Sequence, residues 1–235
     1  MPFTRSLGTS HVFGDWLPSQ CAICRTWPSQ RICNACLARF APAAARCAGC
    51  AARVPDGVSH CGLCLREPTG LDACIAAVDY DWPWADLVTR LKFHGEPGLA
   101  GPLAQIMRGA EGADQALRSC DALVPVPLAP QRLRQRGYNQ SLLLARQMHP
   151  GKLRHQWLER THETDAQSRL GRRERLRNLL GAFAVPTDAG TALQGRHVLL
   201  VDDVMTTGAT LRAAARALCK AGAARVSALV FARTP

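Results

Sequence analysis

The segment Val198-Leu199-Leu200-Val201-Asp202-Asp203-Val204-Met205-Thr206-Thr207-Gly208-Ala209-Thr210 constrains this chain more than any other. Four consecutive apolar residues read as a strand buried on both faces, the kind found inside a parallel sheet. That strand is expected to end in two acids at its carboxyl edge, where open α/β sheets bind their ligands. Hydroxyl residues and a glycine follow, and the Ala-, Leu- and Arg-rich run 209–221 reads as a helix. The first N–H groups of a helix have no internal partner, and the helix dipole favours an anion there. Thr206, Thr207 and Thr210 add hydroxyl donors, and Gly208 lets the backbone come close to a phosphate. Adjacent carboxylates do not suit the phosphate itself, but they accept hydrogen bonds from vicinal hydroxyls or hold Mg²⁺. A ligand with a phosphate at one end and a diol in its middle, a ribose 5-phosphate, satisfies both halves. The reading requires Asp202 and Asp203 to face a cavity rather than to be ion-paired into the interior.

Composition changes near residue 70, where Glu67-Pro68-Thr69-Gly70 is turn chemistry. Beyond it the pattern predicts strands over 72–80, 122–126, 182–185, 197–201 and 225–232. It predicts helices over 84–93, 97–108, 139–148, 172–180 and 209–221, with a Pro- and Arg-rich loop at 127–137. Strands alternating with helices argue for an α/β domain built on a mostly parallel sheet. The expected organisation is a small cysteine-rich domain at 1–70 and an α/β domain at 71–235.

Eight of the eleven cysteines form four CxxC pairs: Cys21/Cys24, Cys33/Cys36, Cys47/Cys50 and Cys61/Cys64. In a chain with no export signal such pairs read as metal ligands, not disulfides. Four thiolates with no open position favour tetrahedral zinc, so two structural zinc ribbons are expected. Sequential grouping is the simplest; interleaving of the pairs remains open, as does a ligand role for His60 beside Cys61. Cys74, Cys120 and Cys219 are expected to be ordinary core or near-core residues.

Eight thiolates and two divalent ions bring the formal +11 to about +7, a balance that suits acidic partners. No apolar run reaches the ~18 residues of a membrane span, and residues 1–18 lack a signal-peptide pattern. A soluble, cytoplasmic protein is expected. Arg25, Arg31, Arg39, Arg46 and Arg53 give the ribbons either a solubilising or a contact surface. Arg169, Arg172, Arg173, Arg175 and Arg177 crowd one region that reads as a solvated helix face, a closing loop or a phosphate track for single-stranded DNA. Interleaved aromatics for base stacking are missing from it.

Segment 198–210 resembles the signature by which type I phosphoribosyltransferases bind 5-phosphoribosyl-1-pyrophosphate (PRPP). Leu91-Lys92-Phe93, Val124-Pro125-Val126-Pro127-Leu128, Arg136-Gly137-Tyr138-Asn139-Gln140 and Arg177-Asn178-Leu179-Leu180-Gly181-Ala182-Phe183 resemble blocks of the ComF/GntX family of competence-associated, phosphoribosyltransferase-like proteins. With the cysteine half included, the resemblance covers nearly the whole chain. It implies a type I phosphoribosyltransferase-like sheet behind a double zinc ribbon, PRPP bound with Mg²⁺, and a bacterial role in DNA uptake alongside competence proteins. Carried over, Asp202 and Asp203 hold the ribose hydroxyls, and Thr206, Thr207, Gly208, Ala209 and Thr210 cradle the 5-phosphate. Lys92, Arg132 and Arg136 become charge partners of the pyrophosphate, and Arg172, Arg173 and Asn178 resemble a closing loop and its hinge. Transfer in this class is displacement at the anomeric carbon, so the protein positions and stabilises charge instead of supplying a nucleophile. With the sequence stopping at Pro235, residues 71–110 are expected to supply the hood over an acceptor that no residue identifies. The implied activity is that of a glycosyltransferase. The rival reading is a non-catalytic PRPP sensor, or a single-stranded-DNA-binding accessory of the competence machinery.

Overall fold

The computed structural model describes residues 19–161 and 181–235. The chain separates into two compact units, Met1–Pro42 and Ala43–Pro235. In the first, an isolated antiparallel bridge joins Ser19 to Ser29. Helix α1 (Asn34–Phe40) starts at Cys33, whose Sγ accepts from the Cys36 N–H.

The second unit opens with the short helix α2 (Gly62–Arg66), β1 (Cys74–Asp79) and α3 (Trp84–Phe93). A 3₁₀ turn at Pro97–Leu99 then leads into α4 (Ala100–Gly109), α5 (Ala113–Ser119) and β2 (Ala122–Pro125). After them come α6 (Pro130–Arg136), α7 (Gln140–Met148), β3 (Glu159–Arg160) and β4 (Phe183–Ala184). The unit closes with α8 (Thr187–Leu193), β5 (His197–Met205), α9 (Ala209–Lys220) and β6 (Arg225–Arg233).

Strands β1, β6, β5 and β2 form one parallel sheet in that order. Central β5 and β6 carry near-continuous apolar runs because helices cover both of their faces, whereas edge strand β1 alternates buried and half-buried residues. One face packs Val198, Leu200, Val226, Ala228 and Val230 against Leu211, Ala214, Ala215 and Leu218 of α9. Those four helix positions are i, i+3, i+4 and i+7, the apolar stripe of an amphipathic helix. Residues of opposite parity on β6 are buried outside that cluster, and there Trp84 of α3 meets Phe231 edge-on at 5.8 Å. Among the described residues no helix is long and apolar enough to cross a membrane.

Several expectations need correcting. The supposed loop 127–137 contains α6, with Pro130 at its first turn and Gly137 left-handed at its end (φ 81°), a start-and-stop pair that a short helix uses well. Helices α5 and α8 were not foreseen; each has only seven residues and too little periodicity to stand out. Strand β5 runs past Val201 to Met205, because Asp202 to Met205 keep pairing with β6. Strand β4 lies outside the parallel sheet, antiparallel to β3. Cys74 and Cys120 are buried but Cys219 is exposed. The helix expected at 172–180, the arginine cluster at Arg169, Arg172, Arg173, Arg175 and Arg177, and Asn178 lie outside the described residues.

The compositional boundary near residue 70 does not coincide with the division of compactness after Pro42. Cys47, Cys50, Ala51 and Cys64 share the apolar core of the large unit with Leu71, Cys74 and Met205.

Candidate functional site

The carboxyl end of β5 brings the two acids beside α3 and α7. Asp203 is only 3% exposed, and its Oδ1 lies 2.9 Å from Nζ of Lys92 in the last turn of α3. Its other oxygen, Oδ2, is buried and meets no donor among the described residues. Asp202 is half-buried; its Oδ1 accepts from Ser141 Oγ and from the Asp203 N–H, both at 2.9 Å. Burial, with the neighbouring Asp203 charge adding to it, pushes the Asp202 carboxyl up to about 7 against the opposing pull of Lys92 and Ser141. Asp203 is thus ion-paired into the interior, which runs against the requirement that both acids face a cavity. Asp202 keeps a partly accessible position.

Ser141 reaches Asp202 because Asn139 fixes the start of α7. Asn139 Oδ1 accepts from the N–H of Ser141 and Leu142, and its Nδ2 donates to Val126 O at 3.0 Å, tying the helix start to the end of β2. Ser141 was not singled out from sequence. A capping residue such as Asn139 just ahead of an apolar run is the signal that could have found it.

Arg136 ends α6 with its guanidinium carbon 5.0 Å from the centre of the exposed Phe93 ring. Burial lowers its proton affinity, while the nearby Asp203 charge works the other way. Tyr138 Oη donates to Leu91 O, so the segment after α6 is fastened to α3. Lys92 and Arg136 therefore gather with the two acids. Arg132 sits one turn earlier on α6 and is exposed.

Past the acids, Thr206 and Thr207 are exposed and Gly208 begins α9 in the left-handed region at φ 72°. A Cβ there would lie 2.3 Å from Met205 Cε. The Ala209 N–H donates to Thr207 Oγ1 at 3.4 Å, and the Arg212 N–H to Gly208 O at 2.9 Å. Ala209 and Thr210 are half-buried in the first turn. Gly208→Ala is expected to destabilise the protein by about 1–2 kcal/mol through the left-handed backbone alone, lowering Tm by roughly 3–6 °C. A thermal melt against wild type measures it, and an unchanged Tm contradicts the strain.

The eight paired cysteines form two groups, Cys21, Cys24, Cys33, Cys36 and Cys47, Cys50, Cys61, Cys64, with all four sulfurs of each within 4.8 Å of one another. Grouping is therefore sequential. Sulfurs 2.3 Å from a tetrahedral zinc would stand ~3.8 Å apart. The observed separations are 3.9 Å for Cys21–Cys36, 3.6 Å for Cys24–Cys33 and 3.7 Å for Cys50–Cys61, so zinc fits both. Backbone N–H groups of Cys33 and Cys61 donate to Cys21 Sγ and Cys47 Sγ, a second layer that favours thiolate. The Thr26 hydroxyl brings Cys24 down to about 6. His60 is turned to the Ser59 hydroxyl and belongs to neither group. Of the ribbon arginines, Arg46 and Arg53 both pair with Asp79, so they serve the large unit internally.

A cavity lined by Asp121, Arg154, Trp157, Ala192 and Arg196 lies at the opposite, amino edge of the sheet and does not touch the acids.

The phosphoribosyl transferase domain family matches residues 160–235. DNA utilization protein YhgH of Escherichia coli (strain K12) is 35% identical over 184 residues, 74% of this chain and 77% of that protein. Its namesake in Salmonella typhi is 32% identical over 234 residues, covering 93% of this chain and 98% of the relative. Competence protein F of Haemophilus influenzae is 31% identical over 185 residues, 73% of this chain and 77% of its own length.

Proposed function

The chain belongs to the ComF family, and from that premise we propose that it binds PRPP with Mg²⁺ at the carboxyl end of β5 and acts as a cytoplasmic phosphoribosyltransferase-type protein in DNA uptake. The relatives' names, DNA utilization and competence, support the second half of the proposal. One observation carries the first half: two adjacent acids at a parallel sheet edge run directly into Thr206, Thr207 and the left-handed Gly208 at the start of a twelve-residue helix.

In this reading each group has a defined task. Asp203 Oδ2, without a partner among the described residues, is an acceptor suited to a ribose hydroxyl, since a buried acceptor left without a donor costs about 1–3 kcal/mol. Lys92 orients Asp203. Asp202, held by Ser141, takes the neighbouring hydroxyl. The 5-phosphate meets the first amides of α9 and the threonine hydroxyls. Arg136, placed over Phe93, faces the developing pyrophosphate charge, with Arg132 one turn further out. When bound, Mg²⁺ supplies the remaining neutralisation of the leaving group.

Calorimetric titration of PRPP into the zinc-loaded chain tests the proposal. Mg²⁺-dependent binding is expected, and its absence defeats the reading. Release of pyrophosphate on supplying an acceptor then distinguishes a transferase from a sensor.

The same titration has a pH signature. A carboxyl raised from its ordinary 3.8 to about 7 stays protonated in the fold after the unfolded chain has ionised, so stability falls as pH climbs through that interval. Hydroxyl donors favour the ionised form. Affinity is therefore expected to rise about tenfold between pH 6 and pH 8 in wild type. Asp202→Asn should retain only the shallower dependence from the ligand's own phosphate, which titrates near ~6. Identical profiles in the two proteins would contradict the assignment of Asp202.

A further inference from the structure

The second four-sulfur group is fastened to the large unit by its own backbone. Four successive carbonyls of its first turn are occupied. Ala48 O accepts from Cys74 N at 2.7 Å and Gly49 O from Thr69 Oγ1 at 2.9 Å. Cys50 O accepts from Arg233 Nε at 2.9 Å and Ala51 O from Arg46 Nη1 at 3.1 Å.

Arg233 then extends the connection to the phosphate loop. Its Nη1 donates to Met205 O at 3.3 Å and to Thr234 O. Met205 and Arg233 are register partners at the ends of β5 and β6, and the Thr234 N–H adds a further bond to Met205 O at 3.0 Å. The Met205 side chain completes the link: Sδ accepts from Cys74 Sγ at 3.4 Å, and its methyl lies where a Cβ on Gly208 would sit. A path of direct contacts thus runs from Cys50 through Arg233 and Met205 to the residue that starts α9.

We propose that Arg233 is a positioning residue that couples metal occupancy at Cys47, Cys50, Cys61 and Cys64 to the conformation of residues 206–210, so that the second zinc knuckle governs sugar-phosphate affinity. Two physical features support the coupling. The turn holds Ala51 at φ 55°, a left-handed conformation that a non-glycine residue keeps only when its surroundings impose it. Four thiolates around one divalent ion leave a net charge of −2, which draws the guanidinium groups of Arg233 and Arg46 onto the turn. Without the ion the turn loses both its cross-link and that field, and Arg233 loses its anchor at Cys50 O. The ligand half of the proposal rests on the PRPP reading; the mechanical half does not.

The test compares wild type, Arg233→Met and Arg233→Lys as full-length, zinc-loaded chains by hydrogen–deuterium exchange, zinc analysis and PRPP calorimetry. Arg233→Met is expected to retain both zinc ions. Exchange at residues 206–211 should rise about tenfold or more while the interior amides of β5 and β6 stay protected. Arg233→Lys, which keeps one donor, should be intermediate, and should carry the comparison if Arg233→Met does not fold. Affinity for Mg²⁺–PRPP should fall about tenfold in Arg233→Met. Soon after zinc is chelated, before the unit unfolds, exchange at residues 206–211 should rise in wild type ahead of the β5 and β6 interiors, and that early rise should be small in Arg233→Met. Unchanged exchange at residues 206–211 in a zinc-retaining variant overturns the coupling. So does a rise shared equally by the strand interiors, which marks a merely structural role. If wild type binds no PRPP, the ligand reading fails while the exchange comparison still decides the coupling.

Discussion

Replacing Cys47 and Cys50 together with serine is expected to leave one zinc per chain and to unfold the large unit at 37 °C. Serine hydroxyls do not supply the thiolate charge that holds zinc, so the whole site is lost. Structural zinc sites contribute about 10–16 kcal/mol of apparent binding free energy at neutral pH, against a typical domain stability of about 5–15 kcal/mol. The loss is severe here because this knuckle is not an appendage. Cys47 and Ala51 are fully buried, Cys50 and Cys64 nearly so, and they share a core with Met205, Leu200 and the buried stripe of α9. Circular dichroism melts with metal analysis provide the measurement. A variant that keeps one zinc and melts within a few degrees of wild type shows that the knuckle is dispensable.

Asp203→Ala is expected to abolish Mg²⁺–PRPP binding and also to destabilise the ligand-free protein, and a second substitution separates the two effects. Removing Asp203 leaves the largely buried Lys92 ammonium without its partner. Breaking such a pair from one side costs about 3–5 kcal/mol when both ions are fully buried, and less here because the Lys92 side chain keeps 20% of its exposure. Asp203→Ala/Lys92→Met removes both charges together and should recover most of the lost stability. It should not recover binding, because the acceptor for the ribose hydroxyl is still missing. A loss of at least about 100-fold in affinity, roughly 2.7 kcal/mol, is expected in both the single and the double variant. Recovery of affinity along with stability in the double variant would show that Asp203 is a structural partner of Lys92 and not a ligand group.

Features set by short-range physics are legible in the sequence, and those set by long-range contacts are not. Helix α3 spans residues 84–93 as predicted, and β5 was recognised from its apolar run, because both signals lie within a dozen neighbouring residues. The sequential grouping of the cysteines follows for the same reason: each group closes within eighteen residues. Helix α6 was missed although Pro130 and Gly137 bracket it, since three arginines among seven residues give it no apolar stripe and no buried side chain.

What the sequence determined by itself is therefore local: the acids at the end of a buried strand, the threonines and glycine that follow, and two four-thiolate groups. Tertiary structure alone decided that Asp203 turns inward to Lys92, that Ser141 holds Asp202, and that the second knuckle joins the core of the large unit. Each of these depends on a contact between residues far apart in the chain, 61 positions for Ser141–Asp202 and 183 for the Arg233 side chain and the Cys50 carbonyl. Packing selects such partners from many residues of the same type, and no spacing along the chain records the selection.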